Sequence, residues 1–202
     1  KTSALADFVI RAVYEMAGAR GDDMMVIAVG RLGMREFDLG SDADLVFVIP
    51  DAADPRFWTG VAARIIDVIS SYTGEGVMFS IDTRLRPNGR EGDLVQSESA
   101  YKSYFEHHAE AWEGITYMKS RAVAGNLERA TAFLHELQQV DWRRYGQSMR
   151  SRQELAQMRG RLEKEQGPRN PLKAGPGGYY DIDFALMYLR LRGAGIFYKA
   201  LN

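Results

Sequence analysis

Apolar residues recur at helical spacing near the start of the chain, at Leu5, Phe8, Val9, Ala12, Val13 and Met16. They predict an amphipathic helix that Gly18 and Gly21 bring to an end. The unbroken apolar run Met24 to Val29 then reads as a short buried strand stopped by Gly30, and Leu45 to Ile49 as a second, ended by Pro50. Between Phe57 and Tyr72 the period returns to helical, through Trp58, Val61, Ala62, Ile65, Ile66 and Ile69, until Gly74 and Gly76 break it. Val77 to Leu85 is read as a third strand, with Pro87, Asn88 and Gly89 as its turn. From Ser99 onward the pattern is helical almost throughout, with breaks at Gly125, at Gly167–Pro168 and at Gly175 to Gly178. The expectation is an α+β chain: a small mixed sheet with helices over residues 1–98, then an all-helical domain over residues 99–202.

Composition narrows the chemistry. The chain has 202 residues, enough for a substantial core, with 46% hydrophobic and 26% charged residues, as in ordinary globular proteins. It contains no cysteine, which excludes disulfides, thiolate metal sites and cysteine nucleophiles. No apolar run reaches the roughly 18 to 20 residues of a membrane span, and the start carries no signal-peptide pattern. It opens directly into helical sequence, as a cut within a longer chain would. The net charge of -1 conceals an asymmetry: residues 1–140 carry a net of -7 and residues 141–202 a net of +6. A basic second part suits either a polyanionic substrate or a solvated basic helix.

The candidate chemistry centres on Gly40-Ser41-Asp42-Ala43-Asp44-Leu45. Residues two apart on a strand face the same way, so Asp42 and Asp44 present paired carboxylates where an apolar strand begins. Their repulsion is relieved by a hard divalent cation such as Mg²⁺, which also bridges phosphate oxygens. Upstream, Gly30-Arg31-Leu32-Gly33 directly follows a strand, and glycines there let backbone amides approach a phosphate. Each motif alone is an ordinary turn; their order around two strands is more specific. Asp82 adds a third carboxylate, and Arg84 and Arg86 follow it on one face by the period of two. That row suits a metal ligand with a triphosphate clamp, or a salt-bridge row on an exposed face.

In order, Gly30-Arg-Leu-Gly33, Ser41-Asp-Ala-Asp44 and Ile81-Asp-Thr-Arg-Leu-Arg-Pro87 resemble the polymerase-β-like nucleotidyltransferase superfamily. Within it they are most similar to the glutamine synthetase adenylyltransferase/adenylyl-removing family. Asp82 to Gly89, Trp112-Glu113, Lys119-Ser-Arg121-Ala-Val-Ala-Gly125 and Lys173-Ala-Gly-Pro-Gly-Gly-Tyr-Tyr-Asp181-Ile-Asp183-Phe184 resemble further segments of that family. Arg31 departs from its usual Lys, Met34 from a second Gly and Asp183 from Glu. The resemblance implies one of two homologous halves, cut short at its helical end.

The resemblance further implies in-line attack on the α-phosphate of ATP, with Mg²⁺ held by Asp42, Asp44 and Asp82. Asp82 would serve the metal that activates the acceptor hydroxyl. Gly30, Arg31, Gly33 and Ser41 would cradle the outer phosphates, with Arg84 and Arg86 as charge clamps. Lys119, Arg121, Lys173 and Asp181 are further binding candidates, equally suited to capping and ion pairing. The implied acceptor is a tyrosine of glutamine synthetase, and the other half of the family enzyme runs phosphorolysis of the same bond. The motifs leave the direction open, although Arg152 to Glu165 and Tyr188 to Leu191 stand slightly nearer the adenylylating half. The resemblance also implies glutamine and a PII-type signalling protein as regulators of the full enzyme. The absence of cysteine suits a reducing cytoplasm, and neither nucleic acid nor membrane is expected as partner. A small-molecule acceptor and a catalytically silent module are the competing readings. Trp112, Tyr104, Phe105 and Ile115 follow core spacing, while His107, His108 and His135 lack the spacing of a zinc site.

Overall fold

The computed structural model describes residues 1–18, 24–38 and 40–197, with side chains to Gly193. The chain divides into two compact units interleaved in sequence: Lys1–Tyr104 with Lys119–His135, and Phe105–Met118 with Glu136–Asn202.

The first unit is built on a small mixed sheet. Strands β1 (Met25–Ala28) and β2 (Ala43–Ile49) are antiparallel, and β5 (Arg121–Gly125) pairs antiparallel with the other side of β1. Two short strands, β3 (Ile81–Asp82) and β4 (Val95–Ser97), lie parallel to β2 along its remaining edge. Val26, Ala28, Leu45, Phe47 and Ile49 join one apolar cluster with helices α1 (Thr2–Met16) and α3 (Pro55–Ser70). Met25, Ile27, Val46 and Val48, on the alternate positions, are equally buried. Burial on both faces explains why β1 and β2 read as continuous apolar runs rather than alternating ones.

Helix α3 forms where the sequence places it. Asp54 caps it by accepting from Arg56 N at 3.0 Å, Pro55 opens it, and Trp58, Val61, Ala62, Ile65 and Ile69 are buried. Helix α1 forms too, but on a different face. Ala6, Ile10, Val13 and Tyr14 point inward, whereas Leu5, Phe8 and Met16 are exposed. Polar residues with dedicated partners cause this rotation. Asp7 turns inward to meet Arg121 at 2.7 Å, and the Tyr14 hydroxyl donates to the carbonyl of Met24 at 3.0 Å. Apolar periodicity alone reads such positions as outward. Gly21, expected to punctuate the end of α1, lies outside the described residues.

Two further expectations are corrected. The third strand does not run from Val77 to Leu85. Its ladder is confined to Ile81–Asp82, since a Thr73–Gly76 turn precedes it and the chain turns again directly after Asp82. Val77 and Met78 stand exposed. The stretch after Ser99 is not helical throughout either. In sequence, helices α4 (Glu98–His107), α5 (Ala111–Tyr117) and α6 (Leu127–Asp141) flank β5, whose pairing with β1 is a contact remote in sequence that no local propensity announces.

The regular elements of the second unit's described residues are helical: α5, a π-helical turn at Trp142–Gly146, α7 (Met149–Gln166), α8 (Pro171–Ala174) and α9 (Tyr179–Phe197). Buried Arg159 of α7 organises the glycine-rich entry to α9. It donates to the carbonyl of Gly175 at 2.9 Å and meets Asp181 at 2.6 Å. Asp181 in turn accepts from the Gly177 amide at 2.6 Å. Among the described residues, no helix is long and apolar enough to cross a membrane.

The Asp7–Arg121 pair yields a stability prediction. Asp7→Ala leaves a guanidinium largely enclosed without its counter-charge, and should cost about 3–5 kcal/mol in urea denaturation. Asp7→Leu combined with Arg121→Met, which removes both charges, should recover most of that loss.

Candidate active site

The parallel ladder between β2 and β3 brings the carboxylates together. Ala43 pairs with Ile81 and Asp44 with Asp82. Laterally paired residues on neighbouring strands share a face at about 4.8 Å between backbones. Asp42 precedes Asp44 by two positions and lies beside Asp82 in the lining of an open recess of about 400 Å³. Thr83, Arg84, Arg86 and Arg90 line the same recess.

Helix α2 (Gly30–Gly33), a single turn, runs directly beneath Asp44. A Cβ placed on Gly30 would fall 2.1 Å from Asp44 Oδ2, and Gly30 holds φ at +56°. Only glycine admits both the conformation and the carboxylate. Gly33 serves a different neighbour: a Cβ there would lie 2.2 Å from the carbonyl oxygen of Lys119. Both glycines thus have packing reasons independent of any phosphate.

Electrostatics divide the acids. Burial foremost, then the charges of Asp82 and Asp42, push Asp44 up to about 6, against the pull of Lys119 and Arg84. Burial opposes the charged form of Asp82 as well, but hydrogen bonds from Arg84 outweigh it and hold the group below the usual carboxylate range. Arg84 engages both oxygens: its amide donates to Oδ1 at 2.8 Å, its Nε to Oδ2 at 2.6 Å, and its Nη2 also contacts Oδ2. As these side chains stand, no trio of acidic or imidazole groups among the described residues is drawn close enough to grip a metal ion. The charges nevertheless suit a divalent cation. Three acids share one neighbourhood, and the most enclosed of them is raised by burial and by its like-charged neighbours, which a cation would offset.

The arginines do not extend along a strand by the period of two, as expected. Residues 83–86 form a turn, with Arg86 N donating to the carbonyl of Thr83 at 3.3 Å. Arg84 reaches Asp82 by curling back. Arg86 spends its donors on the loop: Nε on the carbonyl of Gly92, Nη1 on the carbonyl and hydroxyl of Thr83, and Nη2 on the carbonyl of Arg90. Arg31 pairs with Asp38 at 2.6 Å and donates to Ser41 Oγ at 2.9 Å, and Ser41 donates to Asp38 at 2.5 Å. This trio ties the turn after β1 to the entry of β2. Lys119 acts electrostatically on Asp44, whereas Arg121 binds Asp7 and the carbonyl of Leu32. Lys173 belongs to the second unit, where its ammonium lies 5.6 Å from the centre of the Tyr180 ring. His107, His108 and His135 are exposed.

Three contributors escaped the sequence reading: Arg90 in the recess, Asp38 bridging Arg31 and Ser41, and Arg159 behind Asp181. Arg90 was the most findable, since the Pro87-Asn88-Gly89 turn sends the chain back toward Asp82. Asn88 sits there in the left-handed region, at φ 61°.

A family model described as glutamate-ammonia ligase adenylyltransferase matches residues 2–136, more than half of the chain. The chain belongs to this family. Its similar relatives include two proteins named bifunctional glutamine synthetase adenylyltransferase/adenylyl-removing enzyme. That of Nitrosococcus oceani is 32% identical over an alignment of 183 positions that covers 85% of this chain and 19% of the relative. That of Mycobacterium bovis is 32% identical over an alignment of 202 positions that covers 95% of this chain and 20% of the relative. The chain therefore spans about a fifth of the length of these adenylyltransferase relatives.

The raised Asp44 sets a pH dependence with a definite sign. Between pH 3.8 and about 6 the folded chain holds a proton at Asp44 that the unfolded chain releases. The metal-free protein accordingly loses stability as pH rises through that window. Asp44→Asn removes the cost, so in chelator the gain in melting temperature over wild type should be larger at pH 7 than at pH 4. An equal gain at both would contradict a raised Asp44. Separately, Gly30→Ala should abolish divalent-cation binding or destabilise the fold by about 1–3 kcal/mol, followed by calorimetry.

Proposed function

We propose that this chain is a nucleotidyl-transfer module of the polymerase-β-like type, moving AMP between ATP and a tyrosine hydroxyl of glutamine synthetase. The observation that carries the reading is the Asp44–Asp82 register, which joins two separate motifs into one acidic site. Family membership and the names of the relatives supply the acceptor.

In this reading Asp42, Asp44 and Asp82 hold Mg²⁺, which when bound neutralises phosphate oxygens and makes the acceptor hydroxyl more acidic. The tyrosine oxygen attacks the α-phosphorus, the bond to the β-phosphate oxygen breaks, and pyrophosphate leaves. In the same reading Asp82, once Arg84 has left it, also takes the hydroxyl proton. Arg84 and Arg90 face the recess where the outer phosphates collect charge, while Arg86 keeps the loop that carries them in shape. Gly30 and Gly33, with Arg31 and Ser41, shape the turn under the nucleotide. Lys119 offsets the charge of Asp44, and Arg121 and Lys173 belong to the supporting structure. The second unit, residues 105–118 and 136–202, supplies the helical domain, and the setting is cytoplasmic. Glutamine and a PII-type protein are regulators of the longer enzyme.

The same site suits the reverse-type reaction. Inorganic phosphate then attacks the α-phosphorus of the tyrosine-linked AMP, the bond to the tyrosine oxygen breaks, and ADP forms. The double name of the relatives favours keeping this as the second reading.

Two parallel incubations distinguish them. Labelled ATP with Mg²⁺ and unmodified glutamine synthetase should transfer label to the synthetase if the chain adenylylates. AMP-modified synthetase with phosphate should release ADP if it removes. Asp42→Asn with Asp44→Asn should lower whichever reaction occurs by at least about a hundredfold. Full activity in that double variant would sink the proposal.

A further inference from the structure

Asp82 is the least free of the three acids. Its side chain is 13% exposed, and the approach to both of its oxygens is taken by Arg84, whose own side chain is 57% exposed. The contact is two-pointed, with the backbone amide on Oδ1 and the guanidinium on Oδ2. Arg86, the neighbouring guanidinium, is committed to backbone carbonyls of its own loop. Arg90 acts on Asp82 through charge alone. Arg84 is therefore the one of these three cations that both contacts an acid of the site and stands on a largely exposed side chain.

We propose that Arg84 is a resident counter-ion that leaves Asp82 for the phosphates of the incoming nucleotide when a divalent cation takes its place. This rests on the nucleotidyl-transfer reading above. A cation that draws on Asp82 must displace the guanidinium from Oδ2, because a carboxylate oxygen gripped by a two-nitrogen fork has little left for a metal. The displaced arginine stays charged and keeps its fork, and on an exposed stem lining the recess its next anion is a phosphate. Arg84 thus opposes the metal in the empty site and supports the nucleotide in the filled one. A residue serving only as a loop prop would do neither.

The test uses the full chain and Mn²⁺ alone, titrated by electron paramagnetic resonance, followed by a non-hydrolysable ATP analogue at saturating Mn²⁺. Arg84→Ala should bind Mn²⁺ about tenfold more tightly than wild type, the worth of one charge-assisted contact, and bind the analogue about tenfold more weakly. Arg90→Ala removes the same charge without touching Asp82, and should shift Mn²⁺ affinity by less than about threefold. Circular dichroism confirms that each variant is folded, and Arg84→Lys, which keeps charge but not the fork, substitutes if the alanine variant is not. Equal or weaker Mn²⁺ binding in the Arg84 variant overturns the exchange, as does an Arg90 effect of the same size. If Asp42→Asn with Asp44→Asn leaves Mn²⁺ binding intact, or if no variant binds it, the acidic site itself is misassigned and the exchange falls with it.

Discussion

Like charges brought together at the start of two parallel strands are the constraint around which the first unit is arranged. Asp44 and Asp82 are ladder partners, Asp42 is close by, and no arrangement of β2 and β3 in this register keeps the first two apart. The surrounding residues manage the repulsion differently. Arg84 neutralises Asp82 by contact, Lys119 tempers Asp44 from a distance, and Asp42 is left to solvent. Gly30 completes the arrangement by withholding a side chain, so that the most enclosed carboxylate has somewhere to sit. A fold optimised for stability alone would not concentrate acids here, and the cost is consistent with a site kept for binding.

Much of this was legible in the sequence. The apolar runs of β1 and β2 and the face of α3 follow from burial that is uniform or strictly periodic, which is where pattern reading is strongest. The acidic motifs were legible because Asp-x-Asp at a strand entrance is locally encoded. Their mutual register was not, since it depends on a ladder between segments far apart in the chain. The inward face of α1 was misread because Asp7 and Tyr14 are buried for their polar partners. β5 was missed because its pairing with β1 is decided by tertiary contact.

The arginines teach a related lesson. A strand-like spacing suggested that Arg84 and Arg86 act alike, yet the turn after Asp82 separates their tasks completely. One returns to the acid two residues before it; the other is absorbed into the loop. Identical side chains two residues apart acquire opposite roles because the backbone between them is not extended.

The task given to Arg86 has a consequence for how that loop comes to exist at all. The segment from Thr83 to Gly92 contains only one short 3-10 turn and no strand pairing of its own. A single guanidinium reaches Thr83, Arg90 and Gly92, joining its beginning, its far side and its end. It behaves as a removable cross-link, lowering the conformational freedom of the segment without a covalent bond. The ordering of the recess wall therefore leans on one residue's reach, seconded by Gln96, whose amide donates to the carbonyl of Pro87, and the loop should order as a unit rather than residue by residue.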